Sequence, residues 1–236
     1  MALEKAEYFG KDLEAMSFAH NYHRWIASEL APFLGDHVAE VGAGIGNFSD
    51  FLLDAGARQL SAFEPSSNMY PVLEERYLQA PNVATYNAFF EDESGKFTSS
   101  LDAVAYINVL EHIEDDRLAL QHAHHSLSPD GHLLIFVPAL KFLYSELDKK
   151  VGHFRRYSKR ELTDVVTSAG FRIESCRYFD VMGIVPWYIA FVLLKQTTST
   201  ANVSLYDRIV VPVMRRVESV IPPPIGKNLL LVARKA

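Results

Sequence analysis

The run VAEVGAGIGNFS at 38–49 constrains the chain most, because it sets Gly42, Gly44 and Gly46 between an apolar strand-like segment and a helical one. Glycines at such a junction let the backbone turn tightly and approach a ligand, with the first amides of the helix facing it. Glu64 ends the next apolar segment, about 20 residues further on, where a carboxylate can accept hydrogen bonds from ribose hydroxyls. A dinucleotide fingerprint would need a glycine three residues after Gly44, but position 47 is Asn. Glu40, leading the turn, is also a poor neighbour for a pyrophosphate and a good one for a cation.

The rest of the chain reads as an alternation. HVAEV (37–41), QLSAFE (59–64), VATYN (83–87), LDAVAYI (101–107) and HLLIFVP (132–138) are short apolar runs, which predicts strands covered on both faces. Helical patterns fall at about 47–55, 66–79 and 115–127, and SPDG at 128–131 signals a turn. Residues 11–34 carry apolar positions at helical spacing, from Leu13 to Trp25, Ile26 and Leu30. Ser158 and Glu161 have capping-box spacing before a helix that stops at Gly170. FRIESCRYF (171–179) and LLLVARK (229–235) supply two late strands. This pattern predicts a single α/β domain over 1–236 with a doubly wound, mostly parallel sheet. Residues 1–35 read as an N-terminal helical cover, while 139–157 and 180–228 are surplus to the sheet and read as lid insertions. Disorder is expected only near 196–204, around QTTSTA.

Glu40-x-Gly42-x-Gly44-x-Gly46 resembles motif I of the class I S-adenosylmethionine (SAM)-dependent methyltransferases. NVLEHIEDD (108–116) is similar to that family's segment after the fourth strand, and LSPDGHLLIFVPA (127–139) to its next turn and strand. HNYHRW (20–25) and GHFRRYS (152–158) resemble a bacterial subgroup acting on small molecules or envelope glycans. The resemblance spans roughly 15–235. It implies a seven-stranded sheet and SAM as cofactor, with Glu40, Gly42, Gly44 and Gly46 at the methionine part and Glu64, with the adjacent Pro65, at the ribose. One departure stands out: where the family often has Gly-Asp for the adenine amino group, this chain has NAFFED at 87–92. Ala88 or Phe89 takes that place, leaving adenine to backbone groups, to stacking on Phe89 or Phe90, or to Glu91.

Asn108 and Leu110 follow the fourth strand at its carboxyl end, where ligands of open α/β sheets bind. Glu111 and His112 come next, and His112 is the better general-base candidate because imidazole titrates near neutral pH. His153 is a second catalytic candidate, and Tyr22 is either a core aromatic or a cover over SAM. Asp148, Arg156 and Tyr157 either position a polar acceptor or form a salt-bridge knot that locks the insertion. The stretch 181–194, with Trp187 and Tyr188, reads as a buried helix lining an apolar acceptor pocket, the alternative being peripheral membrane contact suited to a lipid-linked acceptor.

Composition removes other classes. A net charge of −6 offers no field for a phosphate backbone, so nucleic acid is not an expected partner. One cysteine, Cys176, excludes an internal disulfide and fits a cytoplasmic setting. The acidic first 16 residues resemble no signal or transit peptide. His122, His124 and His125 lack nearby carboxylate or thiol ligands in the sequence, and no metal site is expected. The reading is therefore methyl transfer to a small-molecule or lipid- or glycan-linked acceptor by a monomer or homodimer. Transfer or cyclisation of SAM's aminocarboxypropyl arm, and a non-catalytic SAM-binding scaffold, are the alternatives.

Overall fold

The computed structural model describes residues 19–195 and 200–235. Seven strands form one sheet in the order β3-β2-β1-β4-β5-β7-β6. They are β1 (His37–Val41), β2 (Gln59–Phe63), β3 (Val83–Tyr86), β4 (Leu101–Ile107), β5 (Leu127–Pro138), β6 (Phe171–Phe179) and β7 (Asn228–Lys235). The first five run parallel, whereas β7 lies antiparallel between β5 and β6. Alternate residues of one strand serve two different cores: Ala103 and Ala105 of β4 face the layer of Trp25, Ile26 and Leu52, and Val104 and Tyr106 face that of Phe63, Leu120 and Val166. Burial on both faces is why these strands are continuous apolar runs.

Helices α1 (His20–Leu30) and α2 (Ser49–Asp54) cover the first face. The second is covered by α3 (Asp116–Ser126) and α4 (Lys159–Ser168). Each α4 signal operates as expected: the Ser158 side chain accepts from Glu161 N–H, and Glu161 accepts from Ser158 N–H at 3.1 Å. Helix α1 has no capping side chain of its own. Asp207, on the late helix α5 (Thr200–Val220), instead accepts from the N–H groups of Asn21 and Tyr22 at 3.0 and 2.8 Å. That carboxylate satisfies the otherwise orphaned amides and favours the helix dipole.

Three expectations need correction. SPDG does not separate helix from strand: β5 begins at Leu127, and the segment becomes a strand irregularity where pairing jumps from Leu101↔Leu127 to Ala103↔His132, with Asp130 at φ +68°. Residues 200–204, expected to be disordered, open the 21-residue α5, because an apolar period resumes there; 196–199 lie outside the described residues, as do 1–18. The stretch 181–194 is not a buried helix. Its turns at Ile184–Trp187 and Tyr188–Leu193 bury no residue, and Val185, Ile189, Leu193 and Leu194 are 46–62% exposed, because no element among the described residues packs over their outer face.

Candidate active site

At the carboxyl ends of β1 and β4 the chain makes two unusual turns that face each other. Gly42 (φ +70°) and Gly44 (φ +59°) adopt the left-handed backbone. A Cβ at Gly42 would stand 2.6 Å from a Val109 methyl, so only glycine lets the two turns approach. Asn108, directly after β4, is held at φ +54° while its N–H donates to the Phe136 carbonyl at 2.8 Å. Between these turns lies a cavity whose walls include Glu40, Gly42, Gly44, Asn108, Tyr22 and Phe136.

Two carboxylates fix the glycine turn. Glu40 is buried and accepts from Ser49 Oγ at 2.5 Å. Burial pushes its pKa up to about 8 against the lowering effect of that hydrogen bond. Glu64, also buried, accepts from Gly44 N–H at 2.8 Å and Ser66 N–H at 2.7 Å, spanning the ends of β1 and β2.

The opposite wall comes from Glu111 and His112, in the helical turn after β4, and from the insertion 139–157. The insertion is tied down through the backbone, with Phe154 N–H donating to Glu111 O at 2.9 Å and Ala139 N–H to Lys227 O at 2.8 Å. Asp148 is its hub. It accepts from Ser145 N–H and Oγ at 2.8 Å each, from Arg156 Nε at 2.8 Å, and pairs with His153 Nδ1 at 2.9 Å. Burial alone would raise this carboxyl, but the donors from His153 and Arg156 hold it down at about 2. Arg156 also donates to Ala139 O and lies 4.7 Å over the Trp187 ring. Glu111 is wholly buried, and both its carboxylate oxygens lack a hydrogen-bond partner. The nearest, Oε1, is 3.9 Å from His153 Nε2, close enough for charge attraction and too far for a hydrogen bond. Burial raises Glu111 to about 7 and, with His153 beside it, lowers His112 to about 4.

Ten of the residues singled out in the sequence therefore line one cavity: Tyr22, Glu40, Gly42, Gly44, Asn108, His112, Asp148, His153, Arg156 and Trp187. Others stand elsewhere. Gly46 packs on Tyr77, whose hydroxyl donates to its carbonyl. Leu110 and Phe90 turn into the core, Phe90 meeting Phe63 edge-on at 5.1 Å, which corrects the expectation that Phe90 stacks on a ligand. Tyr157 is buried with its hydroxyl donating to Asp116 at 2.8 Å, and locks the insertion instead of facing an acceptor. Glu64, Pro65, Ala88 and Phe89 stand outside the lining, around the ends of β2 and β3. Tyr22 lines the cavity, and its buried phenol, raised well above its usual range by burial, donates to Asn228 at 3.1 Å. His122 and His125 pair separately with Ser94 and Thr98, and His124 meets Phe171 edge-on at 5.1 Å.

Sequence reasoning assigns no role to Lys227 and Asn228, yet both line the cavity, Lys227 Nζ standing 5.2 Å over the Tyr22 ring. A signal existed: an antiparallel last strand begins at the edge where the parallel strands end. Glu111 was visible only as a neighbour of His112, since its isolation depends on what surrounds it.

Comparison with known proteins agrees with this architecture. Residues 17–176 match the methyltransferase domain family. A protein of Staphylococcus carnosus described as an uncharacterized methyltransferase is 32% identical over 129 residues, covering 53% of this chain and 58% of that protein. Among solved structures, a chain of the complex between the Haloferax volcanii Trm112 methyltransferase activator and a methyltransferase superposes with TM-score 0.63 at 15% identity, over 96% of this chain and 94% of that one. The 1,6-didemethyltoxoflavin-N1-methyltransferase of Burkholderia thailandensis, with its substrate and S-adenosylhomocysteine bound, superposes with TM-score 0.60 at 18% identity, over 96% and 82%. With its seven-stranded sheet, its carboxylate-led glycine turn and a family match over most of its length, this chain belongs to the class I SAM-dependent methyltransferases.

Proposed function

We propose that this chain transfers a methyl group from SAM to a hydroxyl- or amine-bearing acceptor, a small molecule or a lipid- or glycan-linked one, that meets the cavity at its Trp187 side. One observation carries the reading: a single cavity is walled on one side by the glycine turn and on the other by Glu111, His112, His153 and Arg156. Two reactants held in one enclosure react as one species, which is the main contribution such a protein makes.

The donor set fits SAM. Glu40 is a buried carboxylate in the cavity wall with one hydrogen-bond donor, and so has capacity for an ammonium group. Glu64 retains a lone pair on each oxygen for ribose hydroxyls, beside Pro65, and the turn at Ala88–Phe89 borders the adenine end. Gly42, Gly44 and Asn108 present backbone to the methionine part. When bound, SAM supplies a sulfonium-activated methyl group whose departure leaves a neutral thioether. Tyr22 and Trp187 then exclude water. His112 and His153 face the acceptor, and the Asp148–Arg156 knot holds their wall in register.

The acceptor class follows from the surface beside Trp187. Val185, Ile189, Leu193 and Leu194 are exposed there, and α5 exposes Leu205, Ile209, Val213 and Val217 at four-residue spacing with Arg208, Arg215 and Arg216 beside them. An apolar stripe flanked by arginines suits an anionic lipid surface. No helix among the described residues is long and apolar enough to cross a membrane. Incubation with SAM and amphiphilic hydroxyl or amine acceptors should release S-adenosylhomocysteine. Methylthioadenosine as the product would replace the reading with aminocarboxypropyl chemistry, and intact SAM binding without turnover on any acceptor would replace it with a scaffold.

A further inference from the structure

The acceptor wall holds a group of atoms that hydrogen bonding does not complete. Glu111 is fully buried, and neither of its oxygens has a partner at good hydrogen-bond geometry, its own backbone N–H and the Arg156 charge being the favourable groups near it besides His153. A desolvated carboxylate left so costs several kcal/mol unless a cation or donor faces it. Facing it is a histidine whose other nitrogen is already committed. His153 Nδ1 bonds Asp148, whose carboxylate is held by Arg156 and Ser145, so Nδ1 donates and Nε2, the atom left to coordinate once it carries no proton, faces Glu111 Oε1 at 3.9 Å. The two groups thus face each other without a direct hydrogen bond. His112 completes the group, its ring 4.5 Å from that of His153 at 82° and hydrogen-bonded to the Gly152 backbone. One ligand atom from each of the three residues lies within 4.8 Å of the others.

We infer that Glu111, His112 and His153 bind a divalent first-row transition-metal ion, with coordination positions left open toward the cavity. Two imidazoles and one carboxylate are the ligand set of catalytic zinc and of non-haem iron sites, which keep positions free for water or substrate. The Asp148–His153 hydrogen bond is the orienting contact that histidine ligands usually carry. All three residues line the cavity that the glycine turn also lines. The inference deepens the proposed function and, for its catalytic meaning, rests on it: the ion would hold an acceptor hydroxyl and acidify it, the proton leaving to solvent water. No metal site was legible in the sequence, because the ligands come from separate segments and the adjacent histidines of α3 draw attention elsewhere.

The test uses untagged full-length protein, stripped with a chelator and titrated with Zn²⁺ by calorimetry, then with Co²⁺ by visible absorption. One Zn²⁺ per chain is expected. Glu111→Gln and His153→Gln should each weaken it by ~100-fold or more, whereas His124→Gln, near the carboxyl end of α3 beside Phe171, should leave it unchanged. X-ray absorption of the Zn²⁺-loaded wild type needs no variant and should count two imidazoles. No stoichiometric Zn²⁺, binding indifferent to both cavity variants, or fewer than two imidazoles would overturn the site and leave a proton shared between Glu111 and His153. SAM affinity, titrated separately on the same samples, keeps the two readings apart. SAM bound without Zn²⁺ sinks the metal site alone, and Zn²⁺ bound without SAM sinks the cofactor assignment alone.

Discussion

The glycine turn after β1 and the insertion 139–157 face one another across the same cavity, yet backbone geometry holds the first and buried charge holds the second. Gly42 and Gly44 need a left-handed φ and, at Gly42, room that a Cβ would fill, while Glu40 reaches Ser49 at the start of α2 and Glu64 reaches Gly44 and Ser66. Asp148 instead gathers Ser145, His153 and Arg156, and these donors meet Glu111 and His112 in the turn after β4 and the Trp187 ring. A turn built from backbone tolerates change around it as long as its glycines remain. A knot of buried charges fails when any member is removed.

The largest effect should therefore come from the knot. Asp148→Ala leaves Arg156, 3% exposed, without its carboxylate, and stranding a buried charge costs about 3–5 kcal/mol. Chemical denaturation should record that loss, and a loss below 1 kcal/mol would mean that the insertion is held by its backbone ties alone. On the other side, Gly42→Ala should leave global stability less affected and remove SAM affinity. The new Cβ meets Val109 at 2.6 Å, and the left-handed φ adds about 1–3 kcal/mol of strain. Calorimetry with SAM checks this, and unchanged affinity would move the cofactor away from the turn.

The same contrast explains what the sequence discloses. Strands β1 and β4 are legible to the residue, because burial on both faces leaves mainly apolar runs, and the α4 capping box is legible because Ser158 and Glu161 are local partners. Gly42, Gly44 and Glu40 are legible for the same reason: spacing along the chain is their geometry. Lys227, Asn228 and Glu111 are not, because their place depends on the antiparallel return of β7 and on which neighbours leave a carboxylate bare. The exposure of 184–194 was equally hidden, since hydropathy reports a preference for burial without naming what provides it.

Glu64 and Glu40 sharpen the cofactor side with smaller effects. Glu64→Ala should weaken SAM by about 1–3 kcal/mol through lost charged hydrogen bonds, while a near-zero change would place the ribose elsewhere. Glu40 gives a pH signature. Its folded pKa, about 8, stands above its ordinary 4.5, so the carboxyl is protonated in the free protein at neutral pH and ionised in the unfolded chain. Its contribution to stability consequently falls as pH rises from 4.5 through 8. An ammonium group beside it favours the ionised form, so SAM binding should expel a proton. Affinity should rise by up to about tenfold per pH unit below 8, and the rise should vanish in Glu40→Gln. A flat profile in the wild type would remove Glu40 from the ammonium.

The smallest effect on folding and the sharpest on location belong to α5. Leu205, Ile209 and Val213 are each 58–60% exposed, so changing all three to Ser removes little buried area and should shift stability by roughly 0.5 kcal/mol per site or less. The same triple change should abolish co-sedimentation with vesicles rich in anionic lipid, since the stripe supplies the apolar area and Arg208, Arg215 and Arg216 the charge attraction. Neutral vesicles should bind the wild type more weakly, and added salt should erase the difference. If the triple variant instead changes the protein's mass in solution and leaves vesicle binding untouched, the stripe joins two copies of the chain. The acceptor would then have to reach Trp187 from water.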